Sequence, residues 1–382
     1  MHIVQLITER ERRGAQVFAR QLSEQLLERG HRITFMSLYG PGANELAPPE
    51  GATCVDLSHS GDSRLSLSLV RDLAGALRAA EPDLVQANGS DTLKYSVLAK
   101  LCLRASWPLV YRNIGYASDW VGGRPFRRFL SRTLIRGVDR VISVCEATRS
   151  DYIATYGVPP EKVATVPIGT SVPDTVDTSA ARERLEALTG TPAPPEAPLL
   201  VHAGSFTRVK NQEGLLRIFR EVLQHTPDAQ LVLFGDGPLW RDINSAVSRN
   251  GLHEHVHLPG NVENLPPLMA GADLMLLPSK TEGLPGVVLE AAAHQVPCVA
   301  YDVGGIKEAI RHGETGVLVA KDDEAAFAKA IIELLSDTKA GSDMGRAARE
   351  FVAETYTLER IGGRFEEEYY RLLTEKSDEE PV

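Results

Sequence analysis

Short apolar runs alternate along the chain with longer stretches in which apolar residues recur every three or four positions. In the first half, the short runs rich in β-branched residues are HIVQLI, HRITFMSL, ATCVDL, DLVQA, PLVYR and DRVISV. Each of these runs predicts a strand. The periodic stretches between them predict helices at 16–28, 69–80, 93–103 and 126–135. Such alternation is typical of a parallel sheet covered by helices.

The alternation stops once and then restarts, which predicts two domains. Residues 173–198 read PDTVDTSAARERLEALTGTPAPPEAP, and these prolines are typical of a connection between domains. Strand-like runs such as APLLVHAGSF, AQLVLFG and ADLMLLP then alternate with helical stretches again. We therefore predict Rossmann-like domains at 1–172 and 199–354. A final amphipathic helix at about 357–375 has an apolar face that must dock, and we expect it to return to the first domain.

Length and composition support a globular α/β protein. The 382 residues exceed what one core usually organises, and 43% of them are hydrophobic and 24% charged. No run approaches the roughly 18 uncharged apolar residues of a spanning helix, and the first residues lack the pattern of a secretory signal. We expect a cytoplasmic protein. The cysteines have no metal-ligand spacing, and we expect all four to be small buried residues: Cys54, Cys102, Cys145 and Cys298.

Charge is distributed unevenly along the chain. The formal net charge is −10, but residues 1–172 hold 21 basic and 17 acidic residues, so that the first part carries +4 and the rest −14. A first domain more basic than the second predicts an anionic ligand or surface on its side.

The segment SKTEGLPGVVLEAAAHQVP carries the sharpest candidate chemistry. Its glycines let the backbone approach a ligand, and the helix predicted to begin near Gly286 presents unpaired N–H groups to an anion such as a diphosphate. Glu282 and, eight residues later, Glu290 can accept hydrogen bonds from the hydroxyls of a hexose and of a ribose. The residues alone leave an alternative open, in which one acid is favoured by the helix dipole and the other is a solvated helix residue.

Two other loops that follow predicted strands contain candidate residues. In AGSFTRVKN, the cations Arg208 and Lys210 can stabilise the charge that develops on a leaving phosphate, or they can simply be exposed residues in a turn. Gly14, which follows the first strand, can let its loop approach a sugar and a phosphate, or it can mark an ordinary helix start.

With these segments the chain resembles the retaining GT-B glycosyltransferases of family 4. Their E-x7-E motif is matched by Glu282, Gly283 and Glu290, while Leu284 and Pro285 stand where the family most often has Phe and Gly. Further matches follow in order over nearly the whole chain: RGA at 13–15, VPIG, AGSFTRVKN, FGDGP, LPGNV, VGGIKE and GETGVLV. The resemblance implies a GT-B fold, in which two Rossmann-like domains face each other across a cleft.

The resemblance also implies roles for individual residues. The second domain is expected to bind a nucleotide-sugar donor and the first domain the acceptor. The implied catalytic residues are Arg208, Lys210 and Glu282. The implied donor-binding residues are Gly14, Ala15, Ser205, Gly235, Val262, Glu282, Gly283, Leu284, Pro285, Gly286, Val287 and Glu290. No metal or other cofactor is implied, since the chain has no D-x-D motif, and the cations and the helix start are expected to neutralise the leaving group.

The first domain departs from the family at its usual sugar-positioning histidine. The equivalent stretch PLVYRNIGYASDW has Arg112 and Asn113 in that region. We predict that these two residues and Asn88 contact the acceptor or the transferred sugar, with structural roles for Arg112 and Asn113 as the alternative.

Six arginines between Arg124 and Arg140 are interleaved with apolar residues in a pattern that predicts a basic amphipathic helix. They are Arg124, Arg127, Arg128, Arg132, Arg136 and Arg140. Such a helix can rest on anionic lipid at the inner face of a membrane or receive a phosphorylated acceptor. A solvated basic face over a core-facing apolar stripe explains the pattern equally well.

We therefore predict a metal-independent, retaining glycosyltransferase that uses a UDP- or GDP-sugar. Lipid-linked glycans, cell-surface glycan precursors and small metabolites all stay open as acceptors, and no nucleic acid is expected as a partner. The alternatives on the same fold are a nucleotide-sugar epimerase or hydrolase, and a catalytically silent partner subunit.

Overall fold

A computed structural model describes residues 1–42, 44–61, 65–122, 125–190, 194 and 197–379, except for the side chains of 125–127, 130, 378 and 379. The chain forms two compact units. The first consists of Met1–Gly169 together with Leu358–Val382, and the second of Thr170–Thr357. The predicted boundaries at 172 and 199 therefore fall inside the second unit.

The first unit contains a parallel sheet of seven strands in the order β3-β2-β1-β4-β5-β6-β7. Its strands are β1 (His2–Ile7), β2 (Arg32–Ser37), β3 (Thr53–Asp56), β4 (Leu84–Ala87), β5 (Leu109–Asn113), β6 (Arg140–Ser143) and β7 (Val163–Thr165). Every residue of β1, β4, β5 and β6 is buried, as expected for central strands with helices on both faces.

The second unit contains a parallel sheet of six strands in the order β10-β9-β8-β11-β12-β13. Its strands are β8 (Leu199–Ala203), β9 (Gln230–Phe234), β10 (Val256–Gly260), β11 (Leu274–Leu277), β12 (Cys298–Tyr301) and β13 (Gly316–Val319). In this sheet the strand order reverses between β8 and β11. Ligands of doubly wound sheets bind at such a reversal, outside the carboxyl ends of the strands.

Helices connect the strands in both units. Those between β1 and β7 are α1 (Gly14–Glu28), α2 (Leu67–Ala80), α3 (Ser90–Leu103), α4 (Ala117–Val121), α5 (Pro125–Ile135) and α6 (Glu146–Tyr156), followed by a 3-10 turn at Pro160–Lys162. The rest are α7 (Thr178–Ala187), α8 (Gln212–His225), α9 (Trp240–Arg249), α10 (Leu265–Met269), α11 (Gly286–Ala293), α12 (Ile306–Ala309), α13 (Glu324–Ser336), α14 (Thr338–Thr355) and α15 (Leu358–Glu379). Among the described helices, none is both long and apolar enough to cross a bilayer.

The last helix, α15, packs on the first unit as the sequence predicted. Phe365 and Tyr369 are fully buried in a core that they share with Phe18 of α1, whose ring centroid lies 5.9 Å from that of Phe365. The hydroxyl of Tyr369 donates a hydrogen bond of 2.6 Å to Oε1 of Gln86 in β4. The amphipathic pattern at the end of the chain therefore completes the core of its first unit.

The structure adds a helix that the sequence did not predict, and it corrects the expectation for the cysteines. The predicted connection contains α7, which Asp177 caps through Ala180 N and which buries Ala181 and Leu185. The cysteines are not all buried, because Cys54 and Cys102 are exposed.

The basic helix has the extent that the sequence predicted, and two of the six arginines lie beyond its end. α5 ends at Ile135, and Arg140 lies in β6, where it is buried and paired with Glu375 of α15 at 2.7 Å. Arg124 and the side chain of Arg127 lie outside the described residues.

Candidate active site

Two candidate loops of the second unit meet where its strand order reverses. One loop follows β8 and contains Lys210, and the other follows β11 and contains Glu282. The ammonium nitrogen of Lys210 lies 2.6 Å from Oε1 of Glu282, and both side chains are largely buried. The ammonium group has three donors, so this contact leaves further donor capacity for a ligand.

Hydrogen bonds to backbone carbonyls hold these two loops together. The amide of Lys280 donates to the carbonyl of Val209 at 2.8 Å, and the side-chain amide of Asn211 donates to the carbonyl of Pro278 at 3.2 Å. Asn211 adopts a left-handed conformation with φ of 55° directly before α8, a position that asparagine tolerates better than most residues. The Lys210–Glu282 pair is therefore fixed by its loops as well as by charge.

Glycine permits a close approach of the neighbouring loop after β9. Gly235 has φ of 121°, and a Cβ atom placed there would lie 2.2 Å from the carbonyl oxygen of Gly204. Gly204 in turn lies under the Lys210 side chain, where an added Cβ would meet Cδ and Cε at 3.2 Å. The Lys210 side chain can therefore cross the end of β8 only because Gly204 and Gly235 have no side chains.

The helix α11 begins beside Glu282 and carries Glu290. Pro285 precedes the helix in an extended conformation, and no side chain of the described residues caps it. Burial raises the pKa of Glu290 to about 7. An uncapped helix start next to a cation is suited to binding an anion. A hydroxyl group that donates a hydrogen bond stabilises the ionised form of a buried carboxyl group such as that of Glu290.

A buried histidine supports the loop after β8 from below. His202 in β8 lies 2.9 Å through Nδ1 from the carbonyl of Leu276 and 3.3 Å through Nε2 from Nε2 of Gln212. Gln212 also donates to the carbonyl of Ser205 at 3.1 Å. Because burial lowers the pKa of His202 to about 4, the ring is neutral near pH 7 and acts as a hydrogen-bonding support.

Comparison with known proteins agrees with this geometry. The family model described as Glycosyltransferase Family 4 matches residues 12–172, and the model described as Glycosyl transferases group 1 matches residues 197–337. This chain belongs to the family 4 glycosyltransferases. The two matches together cover most of both units.

Curated relatives match this family 4 chain over part of their length. The N-acetyl-alpha-D-glucosaminyl L-malate synthase of Bacillus anthracis is 38% identical over 175 residues, which are 46% of each chain. A GDP-mannose-dependent alpha-(1-6)-phosphatidylinositol monomannoside mannosyltransferase of Mycolicibacterium smegmatis is 30% identical over 252 residues, which are 64% of this chain and 65% of the relative. The chain thus spans about half to two thirds of these relatives.

Solved structures share the fold over nearly the whole chain. Anabaena Alr3699/HepE in complex with UDP and glucose superposes with a TM-score of 0.81 at 20% identity, over 97% of this chain and 100% of that one. Sucrose-phosphate synthase from Thermosynechococcus elongatus superposes with a TM-score of 0.82 at 20% identity, over 98% of this chain and 99% of that one. The predicted GT-B class, with two Rossmann-like units, is confirmed.

The other predicted donor residues of the second unit lie in the loops that follow its strands. Gly283, Leu284, Pro285, Gly286 and Val287 form the loop and the first turn of α11, where Leu284 and Pro285 are buried. Arg208 and Ser205 are exposed in the loop after β8, and Val262 is half-buried just after β10. The loops after β9 and β10 are joined by the amide of Gly235, which donates to the carbonyl of Gly260 at 2.9 Å.

Arg112 of the first unit has different surroundings from those expected of an acceptor contact. Its side chain is 0% exposed, donates from one guanidinium nitrogen to the carbonyl of Ala15 at 2.5 Å and lies 4.9 Å from the ring centroid of Phe18. Its other two guanidinium nitrogens have no hydrogen-bond partner among the described residues. Arg112 therefore holds the first turn of α1, directly behind the exposed Gly14.

Asn88 and Asn113 are buried as well, and their amide groups donate hydrogen bonds to other buried side chains of the sheet. Asn88 donates to Oε1 of Gln5 at 3.0 Å, and Asn113 donates to Oγ of Ser143 at 3.2 Å. Their contact with an acceptor stays a prediction.

Several supporting residues carry no obvious signal in the sequence. His202, Gln212 and Gly305 were not singled out, although the amide of Gly305 donates to the carbonyl of Glu282 at 3.2 Å. Asn211 had a weak signal as an asparagine before a helix.

Within the described part of the chain, no cluster of His, Cys, Asp and Glu is suited to a metal ion. His257, which alternates with two other histidines, lies 2.7 Å through Nε2 from Oε1 of Gln230.

Proposed function

We propose that this chain transfers a sugar from a nucleoside diphosphate sugar to an acceptor, with retention of the anomeric configuration and without a metal ion. The observation that carries the proposal is the 2.6 Å contact between Lys210 and Glu282 beside the uncapped start of α11. A cation and open backbone N–H groups within one loop cluster favour a diphosphate. The neighbouring carboxylates favour sugar hydroxyls.

In this proposal the leaving diphosphate is stabilised by charges that are already in place. Lys210 keeps donor capacity beyond its contact with Glu282, and the exposed Arg208 lies two residues away in the same loop. Fixed donors of this kind stabilise developing negative charge without reorganisation, and they replace the cation that metal-dependent enzymes use. The attacking hydroxyl then enters on the face of the sugar from which the diphosphate leaves, and the leaving phosphate accepts its proton.

The two glutamates bind different parts of the rest of the donor. Glu282, held by Lys210, accepts hydrogen bonds from the hydroxyls of the transferred hexose. Glu290, on the first turns of α11, accepts hydrogen bonds from the ribose hydroxyls. Ionised Glu290 is disfavoured by burial, and two hydroxyl donors offset that cost when the donor binds.

UDP- and GDP-sugars are the proposed donors. The curated relative from Mycolicibacterium smegmatis is named as GDP-mannose-dependent, and the Anabaena structure holds UDP and glucose. Acceptors in the relatives' names include L-malate and a phosphatidylinositol monomannoside. Both of these molecules carry negative charge, and we propose that the first unit receives an anionic acceptor.

Analysis of the products tests the proposal. The purified chain is incubated with UDP- and GDP-sugars, with and without a panel of anionic acceptors, in the presence of a chelator. We expect nucleoside diphosphate release that depends on the acceptor, and NMR of the product should give the same anomeric configuration as the donor.

Each other result assigns the chain differently. Release of nucleoside diphosphate without an acceptor product indicates a hydrolase, and conversion of the donor sugar without release indicates an epimerase. Inversion of the anomeric configuration contradicts the proposed stereochemistry. Loss of transfer on chelation contradicts the proposed role of Lys210 and Arg208. Absence of turnover with every donor and acceptor favours a silent partner subunit.

A further inference from the structure

A second candidate site lies in the first unit, away from the carboxyl ends of its strands. A cavity of about 460 Å³ opens where α5 and α6 end and where β6 and β7 begin. The residues that line it are Arg132, Ile135, Arg136, Val138, Asp139, Val141, Tyr156, Gly157, Val158, Pro159 and Lys162. Because Gly14 and Asn88 follow the opposite ends of their strands, this cavity is separate from the predicted acceptor region.

The cavity combines an apolar floor with a cationic rim. Ile135, Val138 and Val141 are buried beneath it. Arg136 and Lys162 are exposed at its edge. Such a combination fits an amphiphile that has an anionic head.

The three cations of the rim come from two different parts of the fold. Arg132 and Arg136 lie at the end of α5, whereas Lys162 lies in the turn before β7. Among the described residues, none of the three forms an ion pair with a carboxylate, and Arg132 donates through Nε to the carbonyl of Tyr156 at 2.8 Å. A favourable interaction with the helix dipole explains cations on α5 but not Lys162.

The carboxylate that lines the cavity does not neutralise this rim. Asp139 already contacts Lys100 at 2.5 Å and Lys376 at 2.7 Å. The positive charge of Arg132, Arg136 and Lys162 is therefore available to an anion from outside the chain.

An exposed aromatic side chain lies next to the cationic rim. Phe129 is 70% exposed and, at three positions before Arg132, shares its face of α5. Aromatic residues beside basic ones are characteristic of surfaces that rest in the headgroup region of a bilayer.

We propose that this cavity binds the phosphate-bearing headgroup of an acidic membrane phospholipid, while Phe129 inserts beside it. The phosphate is held by Arg132, Arg136 and Lys162, and the first carbons of the lipid contact the apolar floor. The site is independent of the donor site, so the proposal does not rest on the proposed transfer reaction.

Vesicle flotation tests this assignment with the full chain. The vesicles contain phosphatidylcholine alone or phosphatidylcholine with phosphatidylglycerol. The test variant is Arg136→Gln with Lys162→Gln, two exposed positions whose substitution leaves the core intact. The matched control is Arg249→Gln with Lys339→Gln, which removes the same charge from exposed positions of the second unit. Thermal unfolding checks that each variant is folded.

We expect the wild type and the control to bind the acidic vesicles and not the neutral ones. The test variant should bind the acidic vesicles about thirtyfold more weakly, because each basic residue near an acidic surface contributes about a fivefold change. Phe129→Ser should also weaken binding to the acidic vesicles. This reduction relative to the wild type should persist at an ionic strength that screens charge.

Three results would overturn the proposal. The first is wild-type binding by the test variant, and the second is equal binding to neutral and acidic vesicles. The third is no binding to any vesicle. If in that case glycerol 3-phosphate raises the unfolding temperature of the wild type but not of the test variant, the ligand is a soluble phosphate and not a lipid.

Discussion

Lys210 and Glu282 are 72 positions apart in the sequence, and their charged atoms lie 2.6 Å apart in the structure. The motifs that contain them were recognisable from the sequence, because each follows a strand-like run and precedes a helical one. Their contact was not, since it depends on β8 and β11 being neighbours in the sheet. The buried roles of His202 and Arg112 were equally invisible, because nothing local distinguishes a supporting side chain from a ligand-binding one.

At the scale of single residues, Lys210→Met should lower transfer far more than it lowers stability. The change removes the ammonium group that we place on the diphosphate and leaves Glu282 without its partner. Losing one fixed donor to a developing anion typically costs about 10²–10³ in kcat. Steady-state kinetics with a UDP- or GDP-sugar measure this. Lys329→Met, at an exposed position of α13, is the control and should leave the rate unchanged, whereas equal rates in both variants would exclude Lys210 from the reaction.

Glu290 gives a prediction about pH. Burial raises its pKa to about 7, while an unfolded glutamate has a pKa of about 4.3. Between these values the folded chain holds a proton that the unfolded chain has released, so this carboxyl makes the free energy of unfolding decrease as pH rises from about 4 to 7. Each pKa unit corresponds to about 1.4 kcal/mol.

Urea unfolding of wild type and Glu290→Gln across this pH range measures that contribution. The stability of the wild type relative to the variant should fall by up to about 4 kcal/mol and then stay level above pH 7. Parallel profiles of the two proteins would contradict the raised pKa. Binding of a nucleotide sugar, which has no terminal phosphate with a second pKa near 6, should strengthen in the wild type as Glu290 ionises.

At the scale of elements, the alternation of apolar runs and periodic stretches identified the parallel sheets and most of their helices. It missed α7, because a short polar helix after prolines has little apolar periodicity, and its capping residue Asp177 stands in a turn-like sequence. Element ends depend on capping and on neighbours that a sequence pattern does not contain.

The close approach of the loops after β8 and β9 gives a prediction at this scale. Gly235→Ala should lower the free energy of unfolding by more than about 2 kcal/mol, because its Cβ would collide with the carbonyl of Gly204. It should also weaken donor binding by displacing the backbone beneath Lys210. Denaturant unfolding with and without nucleotide measures both effects.

Gly251→Ala is the matched control for this prediction. Gly251 has φ of 67°, and no atom of the described residues lies within 4 Å of an added Cβ, so its substitution carries only the conformational cost of about 1 kcal/mol. If both variants lose the same stability, the close contact with Gly204 contributes nothing.

At the scale of the whole molecule, the chain completes its first unit with its last helix. The amphipathic pattern of α15 predicted docking because its apolar face has to be covered. The pattern did not predict that Tyr369 joins a buried polar network with Gln5 and Gln86. Such a network depends on three segments that are distant in the sequence.

Tyr369→Phe should therefore destabilise the first unit and spare the second. The change leaves the buried amide oxygen of Gln86 without the hydroxyl donor and should cost about 1–3 kcal/mol. Hydrogen exchange followed by mass spectrometry should detect faster exchange in β1 and β4 and unchanged exchange in β8–β13. Tyr370→Phe, at a neighbouring side chain that is 50% exposed, is the control and should change neither unit.

The most direct test of the account is thermal unfolding with a panel of nucleoside diphosphates and their sugars. The proteins are the wild type, Glu290→Ala and, as a control at an exposed carboxylate, Glu254→Ala. A donor at about 100 times its dissociation constant should add roughly 2.7 kcal/mol of stability. We predict that one base, uracil or guanine, stabilises the wild type and the control, and that Glu290→Ala loses this effect. Absence of stabilisation by every nucleotide, or full stabilisation of Glu290→Ala, would contradict a donor site at α11.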